Sequence, residues 1–136
     1  MYFLKEAEKI KEHLSQRSQP WVLLMKGNLG AGKTTFTKTF LSLFGIPPQD
    51  VQSPTFLKLL TYEIPPLFGG GSVLHMDTYR MEKVEEIVKL ELEHYADTRI
   101  WIIEWPELFM QYRNDYAYEC NFLNQASFCH ISLEAQ

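Results

Sequence analysis

Phe3, Ala7, Ile10 and Leu14 recur every three to four residues with Lys and Glu between them, a period that predicts an amphipathic helix laid on a sheet and closed before Pro20. Trp21-Val22-Leu23-Leu24-Met25 then replaces the period with an unbroken apolar run, the pattern of a strand buried on both faces. Helical spacing returns at Phe36, Phe40, Leu43 and Phe44 and stops at Gly45 and the Pro47-Pro48 pair.

Beyond a connecting stretch from Val51 to Phe56, residues Leu57 to Ile64 are strand-like, and Pro65 to Gly71 is a turn region whose glycines, 69 to 71, read as a mobile loop tip. Val73 to Asp77 is a short strand. Met81, Val84, Ile87, Val88 and Tyr95 share one face of a helix over 82–95. Arg99 to Pro106 is a buried strand ended by its proline, and Phe128 to Leu133 alternates as a final strand. Residues 107 to 127 carry no clear period. The chain shows no internal repeat, low-complexity tract or linker, so residues 1–136 are expected to form one domain, and 46% hydrophobic content is enough for its core.

Charge narrows the partners. A net charge of -4 without a basic cluster disfavours independent nucleic-acid binding, so any RNA is expected to be met through a partner that supplies most phosphate contacts. No apolar run approaches a membrane span, and the first residues are too charged for a signal peptide, which predicts a cytoplasmic protein without membrane contact. Cys120 and Cys129 lack metal-ligand spacing and read as reduced, partly buried thiols.

The chemistry is concentrated in Gly27-Asn28-Leu29-Gly30-Ala31-Gly32-Lys33-Thr34, a full match to the phosphate-binding pattern G-x-x-x-x-G-K-[ST]. Glycines let backbone N–H groups turn inward around a phosphate, Lys33 brings a cation to the outer phosphates, and the Thr34 hydroxyl suits magnesium. A strand precedes the loop and a helix follows it, so the turn and the positive helix end face one anion. Strands interleaved with helices around this loop predict an α/β, P-loop NTPase-like fold, a central mixed, partly parallel sheet flanked by helices, with ligand at the carboxyl ends of the strands.

Such a loop needs an acidic partner at the end of a neighbouring strand, to hold magnesium and orient a nucleophile. Asp77 ends one strand and Glu104 another, and both are candidates for that work and for metal contact. Ser53-Pro54-Thr55 stands where many phosphate-loop proteins keep a segment responsive to the terminal phosphate. Alternation puts His75 on the face of Asp77, where it reads as an acid or base or, more commonly, a hydrogen-bonded structural residue. Trp105 reads as core filling or as a contact beside the nucleotide, and the pattern favours core.

Gly-Asn-Leu-Gly-Ala-Gly-Lys-Thr-Thr at 27–35, Ser-Pro-Thr-Phe at 53–56, Tyr62, His-Met-Asp-Thr-Tyr-Arg at 75–80 and Ile-Glu-Trp-Pro-Glu at 103–107, in this order and spacing, closely resemble the TsaE (YjeE) family across residues 1 to 107. The resemblance implies a small ATPase using ATP and Mg2+, needed for threonylcarbamoyladenosine next to the anticodon of ANN-decoding tRNAs and working with the TsaB and TsaD proteins, with tRNA met through that complex. It implies nucleotide contacts along the loop from Gly27 to Thr35 and at Thr55 and Trp105, metal or catalytic roles for Lys33, Thr34, Asp77 and Glu104, and slow turnover stimulated by partners. Thr78, where the family commonly has an aliphatic residue, and the Pro-Pro and triple-glycine region at 65–71 depart from the pattern.

A small-molecule P-loop kinase is the rival reading. It would call for an acceptor pocket and an arginine-bearing lid, whereas Arg17, Arg80, Arg99 and Arg113 are scattered. No N-K-x-D element points to guanine.

Overall fold

The structure is a computed structural model that describes residues 3–27, 32–53, 59–112, 118–122 and 129–132. Among the described residues, four helices, α1 (Leu4–Leu14), α2 (Lys33–Ser42), α3 (Val84–Val88) and α4 (Glu107–Tyr112), accompany six strands, β1 (Trp21–Gly27), β2 (Leu59–Glu63), β3 (Ser72–Asp77), β4 (Ile100–Glu104), β5 (Tyr118–Phe122) and β6 (Cys129–Ser132). The strands form one sheet in the order β2-β3-β4-β1-β5-β6. β3, β4, β1 and β5 run parallel, and β2 and β6 pair antiparallel at the two edges. The expected mixed α/β sheet is therefore the observed one.

Alternation along the central strands divides the core in two. Trp21, Leu23, Met25, Val73, Ile100 and Ile102 pack against Ala7, Ile10 and Leu14 of α1 and Phe36 and Phe40 of α2. Val22, Leu24, Leu74, Met76, Trp101 and Ile103 pack on the opposite side with Met81, Ile87, Leu92 and Phe109. Two apolar faces explain why β1 and β4 read as continuous apolar runs, since each side chain on either face is removed from water.

Two expectations are corrected. The helix expected over 82–95 is two pieces: α3 stops at Val88, Glu91 takes φ 53, and a separate 3-10 turn spans Leu92–Tyr95. An unbroken helix would put Val88 and Leu92 on one stripe, four residues apart. Val88 is 53% exposed and Leu92 only 2%, so the chain breaks to turn Leu92 into the core. The glycines at 69–71 are no free tip either. The Arg99 guanidinium donates to the Phe68 and Gly70 carbonyls at 3.1 and 3.0 Å and lies over the Trp21 and Phe44 rings, while Ile64 N–H bonds the Gly71 carbonyl. These contacts tie the turn to the sheet. In the stretch without a legible period, α4 and β5 are additional elements.

Candidate active site

Register converges the site. Met25 pairs with Glu104 across β1 and β4, and Asp77 pairs with Glu104 across β3 and β4, so the ends of β3 and β4 stand in one row with Met25, two residues before the end of β1. Paired residues on parallel strands point to the same face, here the one covered by α1 and α2. The carboxylates thus share a side of the sheet with the first turn of α2, which begins at Lys33.

The ends of the loop are shaped by close approach. A Cβ on Gly27 would lie 2.7 Å from both Cβ and the carbonyl oxygen of Phe122, so only glycine lets β5 run against β1 there. Gly32 takes φ 108, left-handed backbone that disfavours any side chain, and opens α2. Asn28, Leu29, Gly30 and Ala31, expected in the phosphate cradle, lie outside the described residues, as do Pro54 and Thr55. Thr34 is half-buried and Thr35 exposed.

Lys33 is buried, and its Nζ donates to the Gly27 carbonyl at 2.7 Å. The ammonium also lies 3.9 Å from the centroid of the Trp105 ring. Burial lowers its pKa below the ordinary lysine value, opposed by the negative charges of Glu104, Asp77 and Glu107 in that order. Thr37 of α2 donates to the Lys33 carbonyl at 2.9 Å, and its hydroxyl lies 3.6 Å from the Met25 sulfur, which sets this helix turn against β1.

Asp77 and Glu104 are both buried. Asp77 Oδ1 accepts the Tyr79 N–H at 2.8 Å, which closes the turn after β3. Glu104 Oε2 lies 2.6 Å from Nε2 of His75, itself fully buried. Facing a carboxylate, that nitrogen carries the proton and donates it. His75 Nδ1 has no hydrogen-bond partner among the described residues.

Trp105 is half-buried beside Lys33 rather than core filling. Its φ of 55 puts a bulky residue in left-handed backbone, a strain of about 1–3 kcal/mol that the surroundings must hold. The Trp105 N–H donates to the Met25 carbonyl at 3.1 Å, the Trp105 carbonyl accepts the Thr78 hydroxyl, and the Tyr79 ring lies 4.6 Å away. Sequence reasoning missed Thr78 and Tyr79 in this role, and Glu107 as a charge felt by Lys33. Their signal was adjacency to Asp77 and Glu104 and their place inside the segments 75–80 and 103–107 that carry the family resemblance. Tyr62 holds the approach to Ser53: its hydroxyl accepts the Gln52 N–H at 3.1 Å and faces the Gln52 carbonyl at 3.4 Å, and burial raises its pKa.

A family model described as threonylcarbamoyl adenosine biosynthesis protein TsaE matches residues 3–129. The chain belongs to the TsaE family. A TsaE of Rickettsia conorii, described as a tRNA threonylcarbamoyladenosine biosynthesis protein, is 33% identical over 105 residues, covering 76% of this chain and 58% of its own. The Bacillus subtilis TsaE of the same description is 42% identical over 87 residues, 64% of this chain and 51% of its own. This chain therefore matches only part of the length of these TsaE relatives. The crystal structure of Bacillus subtilis YdiB superposes with a TM-score of 0.58 at 24% identity, covering 97% of this chain and 80% of that one, and shares the fold. Among the described residues, no helix is long and apolar enough to cross a membrane.

Proposed function

We propose that this TsaE-family chain binds ATP with Mg2+ at the loop from Gly27 to Thr35 and hydrolyses it as an accessory ATPase, slowly alone and faster with TsaB and TsaD, in threonylcarbamoylation of the adenosine next to the anticodon of ANN-decoding tRNAs. The names of its relatives support the pathway. The observation that carries the chemistry is the row in which Asp77 and Glu104 stand in register, with Lys33 close enough to feel both charges.

The donor set fits the metal. Magnesium takes one or two carboxylates and otherwise water and phosphate oxygens, and Asp77 and Glu104, paired in register, offer two carboxylates side by side. Thr34, Asp77 and Glu104 would hold it, and when bound it would offset charge on the phosphates.

In the proposed reaction, a water oxygen bonds to the γ-phosphorus as the bond to the bridging oxygen of ADP breaks, and one proton of that water passes to an oxygen of the released phosphate. Little covalent work falls to the protein, so catalysis is positioning and charge stabilisation. Lys33 supplies a cation whose charge is poorly solvated and correspondingly strong toward phosphate. Glu104 orients the attacking water. Trp105, with Tyr79 beside it, shields Lys33 from solvent and contacts the nucleotide. The acidic chain meets tRNA only through its partners, in the cytoplasm.

The test is phosphate release by the purified protein alone, with TsaB and TsaD, and with candidate metabolite acceptors. Stimulation by the two proteins is expected. Phosphorylation of a metabolite without response to them would replace this reading with the kinase.

A further inference from the structure

We infer that His75 is a positioning residue for Glu104, holding one carboxylate oxygen so that the other is kept for the attacking water or metal; this rests on the proposed hydrolysis. His75 pairs in register with Ile102, two residues before the Asp77–Glu104 pair, on the same face. Its bond to Oε2 therefore draws that oxygen back along the sheet, away from the strand ends. Oε1 is left as the oxygen available to water or metal.

The energetics favour a fixed arrangement. Glu104 is only 3% exposed, and a buried carboxylate needs a donor to replace lost hydration. The 2.6 Å separation is that of a short, charge-assisted bond. His75 is itself immobile: it is 0% exposed in the middle of a strand paired on both sides, and the Tyr62 ring lies 6.3 Å away. A flexible glutamate side chain thus takes its direction from a rigid strand residue. Without His75, Glu104 would stand beside Asp77 with no such constraint, and the two carboxylates would compete for the same cations.

Two measurements test the assignment. Proton NMR of the protein without nucleotide should show a low-field, slowly exchanging signal from the His75 Nε2 proton that disappears in Glu104→Ala. Its absence in the wild type would overturn the assignment without reference to any activity. Hydrolysis assays with TsaB and TsaD should show His75→Leu lowering kcat by about 10–100-fold, the range for loss of an outer partner of a site ligand, with KM for ATP within about twofold. His75→Gln, whose amide reaches the same place as Nε2, should recover most of the loss. Wild-type hydrolysis with His75→Leu equally active, or with loss that glutamine does not recover, sinks the role of His75 alone. Absence of hydrolysis in the wild type under every condition sinks the proposed function together with it.

Discussion

The Lys33 ammonium sits on the Trp105 ring, 3.9 Å from its centroid, so the cation of the phosphate-binding motif and the aromatic residue after β4 form one unit. A desolvated contact of this kind contributes up to about 2 kcal/mol. Neighbours hold Trp105 in left-handed backbone for it. Fluorescence should therefore report on nucleotide. Trp21 and Trp101 are buried in the core, which leaves Trp105 as the tryptophan beside Lys33. Mg-ATP is expected to change the emission of the wild type and not of Trp105→Phe, while calorimetry still detects binding by that variant. An unaltered emission change in Trp105→Phe would separate the ring from the nucleotide.

Lys33→Ala and Thr34→Ala remove the proposed outer-phosphate cation and the proposed magnesium-ligating hydroxyl, and each should weaken Mg-ATP binding while the circular dichroism spectrum is retained. Wild-type affinity in both, measured by calorimetric titration, would remove the loop from the nucleotide site.

Burial of Lys33 also has a pH signature. Its folded pKa is lowered, so between that value and the ordinary 10.5 the unfolded chain binds more protons, and stability gained from this group rises with pH across that window. Below the lowered pKa the cost of the buried charge is fully present. The melting temperature of the wild type is expected to gain on that of Lys33→Met as pH is raised from neutral toward 10.5. A constant difference would mean that the ammonium is effectively solvated.

Asp77→Ala and Glu104→Ala should reduce partner-stimulated turnover more than ATP affinity, because a group that orients water acts on the transition state. Glu104→Ala should in addition destabilise the protein by about 1–3 kcal/mol, since it leaves the buried His75 donor unsatisfied. Denaturant unfolding measures that cost. Turnover within about twofold of wild type in both variants would make the carboxylates structural, since twofold is well under 1 kcal/mol of barrier.

Gly27→Ala tests the close approach of β5. The added methyl would meet Phe122 backbone and Cβ at 2.7 Å, atoms that cannot swing aside. A loss of about 1–3 kcal/mol in denaturant unfolding is expected, the range for overpacking. Full stability would show that β5 can shift.

Much of the site was legible because its parts are local. The G-x-x-x-x-G-K-[ST] spacing needs only a strand before it and a helix after it, and β1 and α2 supply both. Asp77 and Glu104 were readable as strand-end carboxylates because apolar runs of strand length end on them. Period alone also marked α1, whose Ala7, Ile10 and Leu14 face the core. It failed at Glu91, where the demand to bury Leu92 outweighed helical continuity, and at β5, whose Glu119 pairs with Lys26 at 3.0 Å so that a charge occupies a buried strand position.

What the sequence by itself determined is therefore the set of chemical groups and their local order: the G-x-x-x-x-G-K-[ST] segment between a strand and a helix, the two carboxylates, and the alternation that puts His75 and Asp77 on one strand face. Tertiary structure decided who meets whom. Strand order brought β4 between β1 and β3, and parallel register set Asp77 level with Glu104 and Glu104 level with Met25. The bond from His75 to Glu104 and the seat of Lys33 on Trp105 join residues 29 and 72 positions apart in the chain. No periodicity specifies such pairs, because they depend on which strands become neighbours and at what register, and that is settled by packing both faces of the sheet at once.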